Sequence, residues 1–286
     1  MAPRRKASSR GKKQSNDGTT KDSSLLSRLI PIYEKVQTDE DIVAGEKRIQ
    51  SVLQEHALVQ GVDQLHIDND DVAEDSNNNL AEALSHIIDC SIHKGLNDCS
   101  RPIFRLLAVT LTMSHQHHDC TSTLLDRVIA FSACGTEYIR SAATFLLVQW
   151  FEQAVASASA VTEQEDEEHQ HALLDRVQEA LLARYTDKAV SVRAAALVST
   201  PEDPNLRSAV LWMVQHDPSA ANRTLAATCL AGSMAATDYF VQRVRDVHKN
   251  VRVAAIQTCL RAHPEEACRV LADVVEAGWT ERYVRS

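Results

Sequence analysis

The chain has 286 residues, with 39 Asp and Glu against 30 Lys and Arg and a formal net charge of −9. This balance excludes a uniformly basic nucleic-acid binder, so any contact with DNA must come from local basic clusters. Apolar residues make up 44% of the chain and can build a sizeable core, while 8 Gly and 7 Pro are few for many tight turns. The composition therefore favours an all-α fold.

The first 22 residues form a cationic tail. Its charged residues are Arg4, Arg5, Lys6, Arg10, Lys12, Lys13 and Lys21 against Asp17 and Asp22. Because Ser, Gly, Thr and Asn fill the gaps, we expect residues 1–22 to bury too little apolar surface to fold, and to be disordered. Three interpretations of this segment remain open: a solvated tail, a nuclear-import or DNA-touching arm, and a mitochondrial presequence.

Residues 23–160 carry apolar residues at helical spacing, typical of degenerate helical repeats. We expect helices at about 79–94, 101–114, 121–133 and 136–157. The apolar run from Phe145 to Phe151 indicates a helix covered on several sides, and Pro102 suits a first helical turn. Acidic stretches at Asp68 to Asp75 and Glu163 to Glu168 are predicted to be exposed loops, the second within a linker over residues 161–169.

A short pattern then returns three times within residues 170–286. Its Asp and Arg positions are Asp187 and Arg193, Asp217 and Arg223, and Asp246 and Arg252. Each Asp precedes its Arg by six residues, and the unit recurs after 30 and then 29 residues. Such self-similarity is typical of a solenoid of stacked helix pairs, here of the HEAT type.

The pattern has a physical interpretation in such a stack. The Asp is predicted to lie in the turn between two antiparallel helices and to act as N-cap of the second, with Pro218 after Asp217 at its first position. The Arg is then able to reach the turn Asp of its own or of the next pair, so that Asp and Arg form a row along the stack. We expect these residues to be architectural and not to contact DNA.

Two weaker echoes extend the array. Ile139-Arg140-Ser141-Ala142 repeats part of the unit, although Cys134 stands where the Asp is expected, and Val284-Arg285 begins the unit again close to Ser286. From this second echo we expect the last repeat to be truncated and the chain to be the N-terminal part of a longer solenoid.

The segments from Leu181 to Leu197 and from Val241 to Arg252 resemble repeats of condensin complex subunit 3, the G-type non-SMC HEAT-repeat subunit of condensin. The resemblance weakens over residues 120–157 and is only a matter of helical spacing over residues 23–115. It implies a curved, non-catalytic scaffold that binds a kleisin segment and duplex DNA in mitotic chromosome condensation, while separate SMC subunits hydrolyse ATP. It also implies a nuclear, chromosomal location, with a cytoplasmic phase during part of the cell cycle.

By the same resemblance, DNA contacts fall on Lys and Arg near the inner helices. The candidates are Lys94, Arg101, Arg105, Arg184, Lys188, Arg243, Arg245 and Lys249. The alternative function is a scaffold that binds only protein, such as a transport adaptor or a phosphatase-type platform. Binding of duplex DNA distinguishes the two functions.

Other chemistry is weakly represented. No Gly-rich phosphate loop occurs, and neither an enzyme, a cofactor nor a small-molecule substrate is expected. His115, His117, His118 and Cys120 form either a zinc site or, as we favour, a solvated loop. Trp150, Trp212 and Trp279 are predicted to be core residues. Seven cysteines without a CxxC pair, no apolar run long enough for a membrane and no secretory signal indicate a soluble intracellular protein.

Overall fold

The computed structural model describes residues 23–64, 71–98, 100–113, 118–158, 164–198, 203–230, 242–262 and 272. This part of the chain contains eleven α-helices and no strand, which confirms the all-α prediction. The helices are α1 Ser23–Lys35, α2 Asp39–Gln64, α3 Asp71–Lys94, α4 Arg101–Met113, α5 His118–Ser132, α6 Glu137–Ala158, α7 Gln164–Arg184, α8 Val190–Ala195, α9 Pro204–His216, α10 Ala220–Cys229 and α11 Lys249–Ala262. The cationic tail lies outside the described residues.

The helices pack in two layers. One layer runs α1, α3, α5, α7, α9 and the other α2, α4, α6, α8, α10, α11, each helix contacting the next in its own layer. Helices α1 with α2, α5 with α6 and α9 with α10 also pack against each other as pairs. This arrangement is an α-solenoid, as predicted, in which each pair contacts mainly its neighbours.

Alternation between the layers gives the solenoid two different long edges. The turns within helix pairs lie at one edge, which we call the turn edge and define by residues 36–38, 95–98, 100, 133–136, 185–189, 217–219 and 244–248. The opposite edge carries the ends of α6 and α8 and the starts of α7 and α9, and we call it the connection edge. We describe the position of each surface feature by the helix layer and the edge on which it lies.

Helix α6 lies at the centre of the described core. It packs against α4, α5, α7 and α8, and this explains why its run from Phe145 to Phe151 is apolar on nearly all sides. Helix α4 begins at Arg101, so Pro102 stands in its first turn as expected. Within the described residues no helix is long and apolar enough to cross a membrane.

The two acidic stretches are largely helical, which corrects the prediction that they are loops. Helix α3 begins at Asp71, and α7 begins at Gln164, inside the predicted linker over residues 161–169. Carboxylates are favourable in the first turn of a helix because they complement its dipole, and Glu and Gln are good helix formers. Acidic composition was therefore a poor guide to loop structure here.

The tryptophans divide between core and surface. Trp150 is buried on α6, as predicted, whereas Trp212 on α9 is 48% exposed, and its ring lies 5.5 Å from that of His216. The core prediction is wrong for Trp212 because α9 belongs to a layer with one face toward solvent. Trp279 lies outside the described residues.

Candidate nucleic-acid interface at the turn edge

Arg140, Arg193 and Arg223 each reach forward to the turn Asp of the next helix pair. Arg193 donates from Nε to Asp217 Oδ2 at 2.8 Å and from Nη2 to Oδ1 at 3.1 Å. Arg223 makes the same bidentate contact with Asp246, from Nε to Oδ2 at 3.0 Å and from Nη2 to Oδ1 at 3.0 Å. These pairs, with Arg140–Asp187 at 3.0 Å and 3.1 Å, form what we call the Arg–Asp ladder. The predicted row of Asp and Arg is confirmed, with the next pair as the partner.

The remaining guanidinium nitrogen of each Arg, Nη1, donates to backbone carbonyls of the turn that precedes its own helix. Arg193 Nη1 donates to the carbonyls of Asp187 and Lys188, at 2.8 Å and 3.3 Å. The corresponding donations are Arg140 to Cys134 and Gly135, Arg223 to Asp217 and Pro218, and Arg252 to Asp246 and Val247. Because these acceptors are backbone carbonyls, Cys134 serves Arg140 as well as an Asp would. Each ladder Arg therefore ties two successive turns to each other.

The ladder Asp residues organise their turns, but they are not the helix N-caps. Asp217 Oδ1 accepts from the backbone N–H of Ser219 at 2.8 Å, and Ser219 is the N-cap residue of α10. The Ser219 hydroxyl in turn accepts from the N–H of Asn222. Pro218 lies in the turn and not at the first helical position. The assignment of Asp217 as N-cap was therefore wrong by two residues.

A second Arg lies close to two of the three ladder Asp residues. Arg184 and Arg243, each three residues before the Asp, lie 3.8 Å from Asp187 and 3.4 Å from Asp246. The matching position before Asp217 is the buried apolar Val214.

Asn222 replaces the missing Arg at that step. Its Nδ2 donates to Asp217 Oδ2 at 3.3 Å and to the Val190 carbonyl at 3.1 Å. Asn222 stands where the neighbouring repeats have Val192 and Val251, so an apparent departure in the sequence repeat keeps the Asp fully hydrogen-bonded.

The ladder is buried and ionised. Side-chain exposure is 8% for Arg193 and 0% for Asp217. Burial raises the pKa of Asp217, but hydrogen bonds from Arg193, Ser219 and Asn222 outweigh that effect and lower the pKa below its usual value. The pKa values of Asp187 and Asp246 are lowered by the same balance of burial against Arg and backbone donors. The ladder carboxylates thus carry charge that their Arg partners neutralise.

Two of the eight candidate DNA contacts are engaged inside the protein. Arg184 Nη1 donates to the Ser132 carbonyl at 2.7 Å, and Arg243 Nη1 donates to the Gln215 carbonyl at 3.3 Å, in addition to their ladder contacts. Both side chains are largely buried, so we assign them to the junctions between helix pairs. Arg105, one turn into α4, is half-buried.

The remaining five candidates are exposed and share the turn edge. They are Lys94, Arg101, Lys188, Arg245 and Lys249. The first two flank the turn between α3 and α4, the third lies in the turn between α7 and α8, and the last two flank Asp246. The sequence prediction did not place them on one edge, although every one of them lies within three residues of a turn between paired helices.

Exposed carboxylates lie beside the basic residues at this edge. Arg101 lies over the Phe145 ring, with 5.4 Å from Cζ to the ring centre, and its Nε is 3.9 Å from the exposed Asp98. Glu137 accepts a hydrogen bond from Ser191 at 2.6 Å. The ladder Arg residues neutralise the buried carboxylates, and the five exposed Lys and Arg outnumber the exposed Glu40, Asp98 and Glu137 that flank the same turns. A local excess of cations of this kind favours phosphate binding.

The described residues contain no group of three or more His, Cys, Asp and Glu that could hold a metal ion. His115 and His117 of the sequence cluster lie outside the described residues. Cys120 is buried on α5, and burial raises the pKa of its thiol to about 11, so that it stays protonated at neutral pH. Helix α5 begins at His118, so the prediction of a solvated loop is wrong for His118 and Cys120, and it is untested for His115 and His117.

A scan against protein-family models and a search of curated proteins both found no match to this chain.

Proposed function

We propose that this chain is a non-catalytic HEAT-type scaffold subunit of condensin, which binds duplex DNA along its turn edge together with a kleisin segment. One observation carries the DNA part of this proposal. Five exposed Lys and Arg side chains line an edge whose buried carboxylates are already neutralised by the ladder. A chain with a net charge of −9 therefore offers a local cationic strip.

Such a strip positions phosphates and does not read bases. Lys and Arg contacts to phosphate position a duplex without carrying sequence information, and binding then falls steeply with salt as counterions are released. The cationic tail adds phosphate contacts of the same kind. The chain itself performs no chemistry in this proposal, and ATP hydrolysis belongs to the SMC subunits of the complex.

The condensin assignment rests on the resemblance of the repeat residues. The ladder supports it by giving a role to the Asp and Arg residues that carry the resemblance, and by explaining the departure at Asn222. A nuclear and chromosomal location, with a cytoplasmic phase, belongs to the same proposal.

The test is fluorescence anisotropy of a labelled duplex of mixed sequence, titrated with the full chain at several salt concentrations. We expect weak, sequence-independent binding at low salt. A variant with Lys188→Glu, Arg245→Glu and Lys249→Glu should weaken binding at least about tenfold, since each charge reversal removes a cation that neutralises phosphate. Deleting residues 1–22 should flatten the log–log salt slope by about 0.9 for each phosphate that the tail neutralises.

The matched control is a variant with Lys47→Glu, Arg48→Glu and Arg261→Glu. These residues are equally exposed, but they lie in the middle of α2 and at the connection-edge end of α11. The control makes the same change in net charge, so an equal loss of affinity would show that binding is diffuse and not at the turn edge.

If the full chain does not bind the duplex at low salt, with or without a kleisin segment, the DNA-binding proposal is rejected. The scaffold that binds only protein would then be the better function, and the overall negative charge of the chain favours it.

A further inference from the structure

The connection edge carries a cavity that the proposed DNA interface does not use. It has a volume of about 650 Å³ and lies between the second half of α6, the middle of α7, and Val198 and Asp203. A volume of this size is within the roughly 300–1,000 Å³ typical of ligand sites. We call it the acidic cavity because three carboxylates line it.

The floor of this cavity is apolar. Phe151 and Val155 of α6, Leu174 of α7 and Val198 after α8 all face it. Val155 is 40% exposed, although most of α6 is covered by neighbouring helices. A large apolar group that entered the cavity would remove this surface from water, and that burial favours binding.

The rim is negatively charged. Glu152, Asp175 and Asp203 line the cavity together with His171 and Gln178, and no Lys or Arg is among the described residues around it. Asp175 is exposed, and Asp203 is held in place because its Oδ1 accepts from the N–H groups of Asn205 and Leu206 at 2.8 Å and 3.0 Å. Three carboxylates around an apolar floor select for a cation beside an apolar group.

We propose that the acidic cavity docks a peptide segment of another protein in which a large apolar side chain stands next to Lys or Arg. The apolar side chain fills the floor, and the basic side chain lies against Asp175 and Asp203. This site is at the edge opposite the cationic strip, so peptide and duplex bind without competing for surface. The proposal does not depend on the proposed DNA binding.

The probe is a short fluorescein-labelled peptide of sequence Gly-Ser-Arg-Leu-Phe-Lys-Ser-Gly, titrated with the full chain and followed by anisotropy. We expect saturable binding that is abolished when Leu and Phe of the probe are replaced by Ser, or when its Arg and Lys are replaced by Glu. Val155→Arg, at an exposed position, should weaken binding at least about tenfold, because it places a cation on the floor.

Two further variants test the rim. Asp175→Lys should weaken binding about fivefold, whereas Glu179→Lys, one turn along the same exposed face and outside the cavity, should leave it within about twofold. Asp203→Asn keeps an oxygen that caps α9 while it removes the charge, and should weaken binding about two- to fivefold without unfolding the chain.

Several outcomes would overturn the proposal. The absence of saturable binding is one, and equal effects of Asp175→Lys and Glu179→Lys, which would mean nonspecific attraction, are another. If deletion of residues 1–22 raised the affinity for the probe about tenfold, the occupant would be the chain's own tail. If Asp175→Lys dissolved a dimer seen in sedimentation, the occupant would be a second copy.

Discussion

The helix pairs of α1 to α4 and those of α5 to α11 hold their neighbours by different means. In the first region, fully buried aliphatic and aromatic side chains interlock, among them Leu29, Ile49, Ile88, Phe104 and Leu107. In the second region, small residues such as Ala196, Ala226, Ala227 and Ala255 let the helices approach, and the Arg–Asp ladder joins one turn to the next. Helix α6 of the second region also buries large apolar side chains, so the ladder there adds directional polar contacts to packing by shape.

This difference explains why the repeat can be recognised in the sequence of one region and not in that of the other. Apolar packing tolerates many combinations of side chains if the volume is kept, so its sequence pattern degenerates. A two-pronged Arg–carboxylate contact requires both partners at fixed positions, so its pattern persists. The repeat in residues 170–286 is therefore recognisable mainly because the ladder residues recur at fixed positions, and less because the core residues do.

The largest expected effect comes from breaking the ladder. Asp217→Ala leaves the buried guanidinium of Arg193 without its carboxylate, and should lower the free energy of unfolding by about 3–5 kcal/mol. Asp89→Ala removes the partner of the half-exposed Arg127, and should cost less than about 1 kcal/mol. Urea unfolding of both variants measures the contrast, and equal costs would mean that the ladder does not hold the second region together.

A core truncation in the first region should cost slightly less but act in a different place. Leu107 is fully buried, and Leu107→Ala should lower the free energy of unfolding by about 3 kcal/mol through reduced burial and a cavity. Since stability in a solenoid passes mainly between neighbours, amide hydrogen exchange should accelerate in α2 and α4 before α10 and α11. Uniform acceleration along the chain would contradict the division into two regions.

Acid should weaken the second region selectively. The pKa values of Asp187, Asp217 and Asp246 are lowered, so the stability they contribute is fully present above about pH 4, the usual Asp pKa, and is lost as the pH falls through the lowered values. Protonation costs less than removal, because a carboxyl still accepts the turn hydrogen bond. Protection factors of α8, α10 and α11, measured from pH 5 to about pH 3, should fall more than those of α3 and α4.

The smallest expected effect concerns a buried long-range polar contact within the first region. Tyr33 lies 2.7 Å from Thr110 Oγ1, and the Thr110 hydroxyl donates to the Leu106 carbonyl, so Tyr33 is the donor in the first contact. Tyr33→Phe should therefore cost about 1 kcal/mol without orphaning Thr110. A thermal melt measures it, and a cost comparable to that of Asp217→Ala would show that polar contacts matter equally in both regions.

Sequence reasoning reached the helix pairs and the row of Asp and Arg because both depend on local spacing. It could not decide whether Arg193 meets Asp187 or Asp217, since that choice depends on how successive pairs stack. It also placed the N-cap at Asp217, because the Asp-Pro dipeptide suggested a helix start more strongly than Ser219 did. The acidic cavity was not predictable, as its floor and rim come together only when α6, α7 and the residues before α9 are packed.

The position of the ladder has a mechanical consequence. Each rung joins consecutive turns through three hydrogen bonds or more, so the turn edge resists stretching, whereas the described contacts provide no comparable seam along the connection edge. A solenoid with one edge that resists lengthening bends mainly by changing the length of the opposite edge. When the solenoid changes curvature, the spacing of Lys188, Arg245 and Lys249 should stay nearly constant, and the strain should be taken up on the far side, where α6 and α7 part or close.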